Sequence, residues 1–127
     1  MRLRPLALTA LLTACAAVPS APPPMGPLPE LAGRVAGPPE RCVTAYSNDA
    51  LRPADNSGGY VLLYGSGRTI YRNDLGGCRF GSNDVLVVER FGSNLCRGDI
   101  IRSVARVSHI PRPTCILGAF TPYSRVR

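Results

Sequence analysis

The sequence contains neither lysine nor tryptophan, and each absence narrows the possibilities. Aromatic residues make up only 6% of the chain, so a core must rest on valine, leucine and isoleucine. All 15 basic residues are arginine, and the formal net charge is +7. Arginine binds phosphate in a bidentate manner, but GC-rich codons also favour arginine, and we prefer that explanation because the arginines are scattered. No polybasic segment occurs, so we do not expect nucleic acid as a partner.

Residues for catalysis or metal binding are equally scarce. The segment Asp55–Gly59 resembles the nucleophile loop of chymotrypsin-like serine proteases, with Ser57 as the nucleophile, but that chemistry needs a histidine base in a much larger double barrel. The single histidine, His109, lies downstream. No C-x-x-C pair suggests zinc, and no paired carboxylates suggest glycosidase chemistry. We therefore expect no enzymatic activity, no catalytic residues, no metal and no cofactor.

The first residues of the chain are typical of an export signal. Met1–Pro5 is short and positively charged, and Leu6–Leu12 is apolar but too short to span a bilayer as a helix. The next residues, Leu12–Cys15, fit the lipobox of bacterial lipoproteins. We therefore predict that residues 1–14 form a signal peptide and that Cys15 is lipidated, since several acyl chains on one residue give stable anchoring.

The alternative is ordinary secretion, because Ala14–Ala16 also satisfies a small-x-small cleavage rule. The residue after Cys15 is alanine rather than aspartate, which, by resemblance to known lipoprotein sorting, suggests the outer membrane of a Gram-negative cell, facing the periplasm. The membrane is then one partner, through the lipid anchor.

A composition change divides the remaining chain. Residues 15–39 hold eight of the 13 prolines and are predicted to be an extended tether, whereas residues 40–127 are predicted to form the folded domain. A recognised proline-rich ligand is the other interpretation of this tether.

Strand signals dominate residues 40–127. Tyr60–Tyr64 and Thr69–Tyr71 flank a glycine-rich turn and predict a β-hairpin, while the β-branched run within Asp84–Phe91 predicts a strand buried on both faces. Asp99–Ser108 fits a helix or a strand, and we favour the strand. Cys115–Phe120 is a final apolar segment. The predicted fold class is all-β: a small antiparallel sheet, barrel-like or sandwiched.

Once Cys15 is assigned to the signal, four of the five cysteines remain for the domain: Cys42, Cys78, Cys96 and Cys115. In a small exported protein, four cysteines predict two disulfides. Three pairings are possible. We favour Cys78–Cys96, bracketing the central strand, with Cys42–Cys115 joining the ends of the domain.

Four arginines in and near the predicted hairpin are candidates for contact with an envelope polyanion such as lipid A phosphates or peptidoglycan carboxylates: Arg68, Arg72, Arg79 and Arg90. A merely solvated surface is the simpler interpretation. Arg97-Gly98-Asp99 matches the integrin-binding tripeptide, but we expect only a tight turn there.

The order of several short motifs resembles a family of small exported alphaproteobacterial proteins and lipoproteins, sphingomonad ones among them, classed as a domain of unknown function. The resemblance spans about residues 40–123 and rests on Arg41-Cys42, Gly67–Leu75 followed by Cys78, Leu95–Ile101 and Cys115–Tyr123. It implies a shared framework of four cysteines. It implies no activity, so no functional residues are transferred from it.

Together these features predict a non-enzymatic, lipid-anchored protein of the periplasm that binds an envelope polyanion or an envelope protein, or has a structural role. The second hypothesis is an inhibitor of a periplasmic or host hydrolase. A net-basic domain is poorly matched to a basic lysozyme, so the target of such an inhibitor would be acidic. A third is a hydrolase that uses Ser57 or an aspartate.

Overall fold

The computed structural model describes residues 27–45, 49–76, 78–81, 83–90 and 92–126. These residues form one short 3₁₀-helix and ten strands, which in chain order are the 3₁₀-helix Pro29–Leu31, β1 (Arg34–Ala36), β2 (Cys42–Thr44), β3 (Arg52–Pro53), β4 (Val61–Tyr64), β5 (Thr69–Asp74), β6 (Asp84–Glu89), β7 (Asn94–Cys96), β8 (Ile100–Ala105), β9 (Cys115–Ile116) and β10 (Phe120–Arg125). The all-β prediction is therefore confirmed. No described helix is long and apolar enough to cross a membrane.

Three antiparallel sheets share the core. The largest has five strands in the order β1-β10-β5-β4-β3, the second has three strands in the order β6-β8-β9, and β2 and β7 form the third. All strand pairs are antiparallel, and within the described residues the sheets do not close into a barrel. The predicted hairpin is confirmed as β4 and β5, with Tyr64 opposite Tyr71 beside the turn.

Strand β4 is the centre of the molecule because all four of its residues are buried. Its side chains alternate between two apolar clusters, as the period of two in a strand requires. Leu62 and Tyr64 join the larger cluster, which also receives side chains from the two smaller sheets, whereas Val61 and Leu63 join the smaller cluster on the opposite side. The five-stranded sheet is therefore covered on both faces at β4.

The smaller cluster is covered by residues that composition had placed in the tether. Leu28 and Leu31 retain only 6% and 8% of their exposure, and β1 pairs with β10 along the sheet edge. Arg52 also binds Glu30 through Nε and Nη2, the latter 2.7 Å from Oε2. The prediction that the tether reaches residue 39 is therefore wrong, because interspersed leucines give this proline-rich segment enough apolar surface to bury.

Two predictions about strands have opposite outcomes. Asp99–Ser108 contains strand β8 rather than a helix, as favoured. The prediction that the run in Asp84–Phe91 is buried on both faces is wrong, because Val85 and Val87 are 45% and 49% exposed. Strand β6 is the edge of its sheet and turns only one face to the core, toward which Leu86 and Val88 pack.

Two disulfides are present, but the favoured pairing is wrong. The bonds are Cys42–Cys96 and Cys78–Cys115, not Cys78–Cys96 and Cys42–Cys115. Strand register explains the first bond, because the antiparallel pairing of β2 and β7 places Cys42 directly opposite Cys96. The second bond ties the segment before β6 to strand β9.

Candidate functional site

A cleft of about 550 Å³ lies beside the two-stranded sheet. Its lining comes from the segment before β2, the turn after β7 and the residue before β10. These residues are Pro39, Glu40, Arg41, Arg97, Gly98 and Ala119. Two of these six residues carry a guanidinium group and one, Glu40, carries a carboxylate, so the formal charge of the lining is net positive.

The register of β2 and β7 brings the two arginines together. Cys42 is opposite Cys96, and the ladder continues one step further, where the Arg97 N–H donates to the Arg41 carbonyl at 2.7 Å. Residues directly opposite each other in an antiparallel pair direct their side chains to the same side. Because successive side chains alternate, the disulfide occupies one side of the ribbon and the arginines the other.

Backbone hydrogen bonds hold both walls of the cleft. Gly98 adopts a positive φ of 95° in the turn after β7, and its N–H donates to the Leu117 carbonyl at 2.9 Å. The Asp99 carboxylate accepts from the Cys96 N–H at 2.8 Å, which closes this turn. The expected tight turn at Arg97-Gly98-Asp99 is thus confirmed. On the other wall, the backbones of Glu40 and Phe120 exchange two hydrogen bonds of 2.7 and 2.8 Å.

The charge of the arginine pair is not neutralised within the described residues. The ion pairs found there are Arg52–Glu30, Arg72–Asp74, Arg102–Glu89 and Arg112–Asp84. Neither Arg41 nor Arg97 takes part in them, and Glu40 lines the same cleft without approaching either guanidinium within ion-pair distance. The arrangement is therefore suited to an anion that accepts hydrogen bonds from both guanidinium groups.

The four arginines singled out from the sequence are not brought together. Arg72, Arg79 and Arg90 each line a different cleft, and Arg68 lies exposed in the turn between β4 and β5. Arg72 is moreover engaged by Asp74 at 2.9 Å. Burial lowers the pKa of Arg72, but the hydrogen bonds and charges of Asp74 and Tyr123 outweigh it, and the pKa is raised overall.

Sequence reasoning missed Arg41 and Arg97 because they are 56 positions apart in the chain. A usable signal was present nonetheless. Each arginine directly adjoins a cysteine, Arg41 before Cys42 and Arg97 after Cys96. With that disulfide known, an antiparallel arrangement of the two flanking strands places the arginines opposite each other.

Ser57 is part of a buried turn. Its side chain is only 1% exposed, and its Oγ donates to the Ala54 carbonyl at 2.6 Å and accepts from the Gly59 N–H at 3.3 Å. The hydroxyl thus stabilises the turn that leads into β4. His109 is exposed in the chain reversal after β8, and its backbone N–H donates to the Ala105 carbonyl at 2.9 Å.

Within the part of the chain that the structure describes, no group of three or more His, Cys, Asp or Glu side chains is placed to hold a metal ion. The predicted lipidation residue, Cys15, lies outside the described residues.

Neither a protein-family model nor a curated protein nor a solved structure matches the chain. The resemblance to the exported alphaproteobacterial family stays a prediction.

Proposed function

We propose that this protein is a non-enzymatic binding module of the bacterial cell envelope, anchored through a lipid on Cys15, and that the cleft between Arg41 and Arg97 binds an anionic group of an envelope component. The single observation that carries the binding site is the backbone pairing that sets Arg41 opposite Arg97 in the lining of one cleft, with neither arginine in an ion pair among the described residues. Carboxylate and phosphate groups both have the acceptor geometry that this pair recognises.

Electrostatics supports an anionic ligand. Like charges directly opposite each other across antiparallel strands are destabilising. An anion that bridges Arg41 and Arg97 removes this repulsion and adds charge-assisted hydrogen bonds. Its affinity decreases with ionic strength, because exposed charges are screened.

The disulfide supports a preformed site. Cys42–Cys96 joins the two strands at the residues next to the arginines, so the backbone beneath Arg41 and Arg97 is covalently fixed. A site that is ordered before binding loses less conformational freedom when the ligand arrives. A small rigid module with such a site needs no catalytic groups to retain an envelope component.

The binding site is tested by nuclear magnetic resonance titration of the exported chain. Inorganic phosphate and acetate are added separately, and we expect saturable shifts of the Arg41 and Arg97 amide signals. R41Q/R97Q removes both charges and should abolish these shifts. R68Q is the matched control, because Arg68 is exposed and does not line this cleft, and it should retain these shifts. Saturable binding that survives in R41Q/R97Q would refute the site.

Two further ligands identify the source of the anion. Soluble peptidoglycan fragments present carboxylates, and the phosphorylated sugar of lipid A presents phosphates. Competition with the simple anion by one but not the other assigns the natural class. Mass spectrometry of the mature amino terminus tests the anchor independently: acyl chains on Cys15 support it, and an unmodified chain beginning at Ala17 contradicts it.

A further inference from the structure

The chain reversal after β8 has a well-ordered base. Strand β8 ends at Ala105, whose N–H donates to the Ile110 carbonyl at 3.1 Å, and Val104 forms a further bridge with Pro111. Ala105 is paired with Asp84, the first residue of β6, so residues 106–109 reverse the chain beyond this pair before residues 110–112 return alongside β8. We call residues 106–112 the tip loop.

The tip loop exposes apolar side chains that no core contact explains. Val107 is 92% exposed, the highest value among the large exposed hydrophobic residues of the described chain, and Ile110 is 63% exposed. On the adjoining sheet, Val85 is 45% exposed and is paired with Val104. Apolar side chains as exposed as these contribute little to folding, and their position within and beside one chain reversal makes this reversal a candidate contact surface.

The charged side chains of the tip loop itself are both arginines, Arg106 and Arg112, and the Asp84 carboxylate lies beside its base. The 28 residues that follow Asp99 contain five arginines and neither aspartate nor glutamate. Arg106 has no hydrogen-bond or ion-pair partner among the described residues, while Arg112 lies 3.3 Å from the Asp84 carboxylate and is still half exposed. Cations beside exposed apolar side chains match the interface of an anionic bilayer, where the apolar groups enter the acyl boundary and the guanidinium groups contact phosphates.

We propose that the tip loop docks on an anionic lipid bilayer through Val107 and Ile110, with Arg106 and Arg112 on the headgroup phosphates. The contact is weak by itself, because it involves two apolar side chains and two charges. The docking rests on the lipid anchor of the proposed function, because a tether that holds the domain near the membrane raises the effective concentration and makes the docked state prevalent. The docking uses neither the Arg41–Arg97 cleft nor any group near it.

Because the sequence contains no tryptophan, the fluorescence of one introduced indole reports on its own position alone. V107W and I110W each introduce one indole at the tip loop, and I116W is the matched control. Ile116 has the same exposure as Ile110, 63%, but is paired with Ile100 at the opposite end of the same sheet. The exported chain carrying each variant is incorporated into vesicles of phosphatidylglycerol and phosphatidylcholine, with and without brominated acyl chains.

For V107W and I110W we expect a blue-shifted emission and loss of most of the intensity to brominated acyl chains, whereas I116W keeps the spectrum of an exposed indole. Adding R106Q to V107W, or using phosphatidylcholine alone, should reduce the quenching. Equal quenching of I116W, or quenching that ignores the vesicle charge, would overturn the proposal.

The same spectra distinguish docking on lipid from contact with a second copy of the chain. A blue shift of V107W that depends on protein concentration in the absence of vesicles would overturn lipid docking in favour of self-association. Equal thermal unfolding of all variants excludes misfolding as the cause. The phosphate titration of the Arg41–Arg97 cleft is independent of these spectra, so failure of the cleft and failure of the docking are distinguished.

Discussion

The side-chain amide of Asn73 forms two hydrogen bonds with the backbone of Gly118. Asn73 Nδ2 donates to the Gly118 carbonyl at 2.7 Å, and the Gly118 N–H donates to Asn73 Oδ1 at 2.8 Å. Asn73 is completely buried in β5, so its side chain provides the partners that an adjoining strand would otherwise offer to this backbone. A Cβ on Gly118 would approach the Asp74 carbonyl oxygen to 2.7 Å, which fixes glycine there.

Replacing Asn73 is therefore expected to destabilise the fold strongly. N73A leaves the partly buried N–H and C=O of Gly118 without their side-chain partners and should lower the free energy of unfolding by about 1–3 kcal/mol. N94A, at an exposed asparagine of β7, is the control and should change it by less than about 0.5 kcal/mol. Chemical denaturation of the oxidised proteins measures both values. Similar small changes in the two variants would show that the Asn73 amide is dispensable.

The parts of the fold that sequence reasoning predicted are those determined locally. The hairpin of β4 and β5 follows from the apolar run Val61–Tyr64 before Gly65 and Gly67, which both adopt positive φ angles in the turn. The strand character of β8 follows from its β-branched residues. In both cases the information lies within about ten neighbouring residues.

The parts that sequence reasoning missed depend on contacts between distant segments. The cysteine pairing depends on which strands are neighbours, and the register of β2 against β7 sets it. The exposure of Val85 depends on only one face of β6 packing against the core, which the composition of the strand does not reveal. The Arg41–Arg97 cleft could not be predicted from the sequence, because its prediction requires both the cysteine pairing and the register of β2 against β7.

The two disulfides should differ in their effect on anion binding. By chain entropy alone, removing either bond should lower the free energy of unfolding by about 2–5 kcal/mol. C42S/C96S also releases the strands beneath Arg41 and Arg97, so phosphate affinity should decrease beyond the loss of stability. C78S/C115S is the matched control and should bind phosphate normally under conditions in which it remains folded. Calorimetric titration and thermal unfolding separate the two effects, and equal affinity in both variants would show that the cleft does not depend on its disulfide.

Gly59 is expected to be the least replaceable turn glycine. It has a positive φ of 86°, and a Cβ there would lie within van der Waals overlap of the Phe80 carbonyl group. G59A should therefore prevent folding or lower the free energy of unfolding by more than about 3 kcal/mol. G67A also introduces a side chain at positive φ, 77°, but into open space, so only about 1–2 kcal/mol is expected. Thermal unfolding of the pair isolates the effect of close packing from that of backbone conformation.

Removing one arginine of the cleft should stabilise the protein without its ligand. R97Q ends the repulsion between Arg41 and Arg97 and should raise the free energy of unfolding by about 0.2–1 kcal/mol in a low-salt buffer free of multivalent anions. The gain should shrink at high ionic strength, because salt screens exposed charges. Denaturation at both salt concentrations measures it, with R68Q as the control. Loss of stability in R97Q at low salt would mean that the protein itself already compensates the pair.

The amino-terminal boundary of the fold gives the last prediction. A chain that begins at Glu40 lacks Leu28, Leu31 and strand β1, which cover the cluster containing Val61 and Leu63. Each buried leucine contributes about 1.5–3 kcal/mol, so this chain should be about 3–6 kcal/mol less stable than a chain that begins at Pro27. The expected loss is comparable with the whole stability of a small domain, and a large unfolded fraction should follow. Circular dichroism and proteolysis of the two chains measure it.

Substituting both leucines by serine in the longer chain should reproduce most of this loss. A smaller part should be retained, because the backbone of β1 can still pair with β10. Equal stability of the two chains would instead return residues 27–39 to the tether.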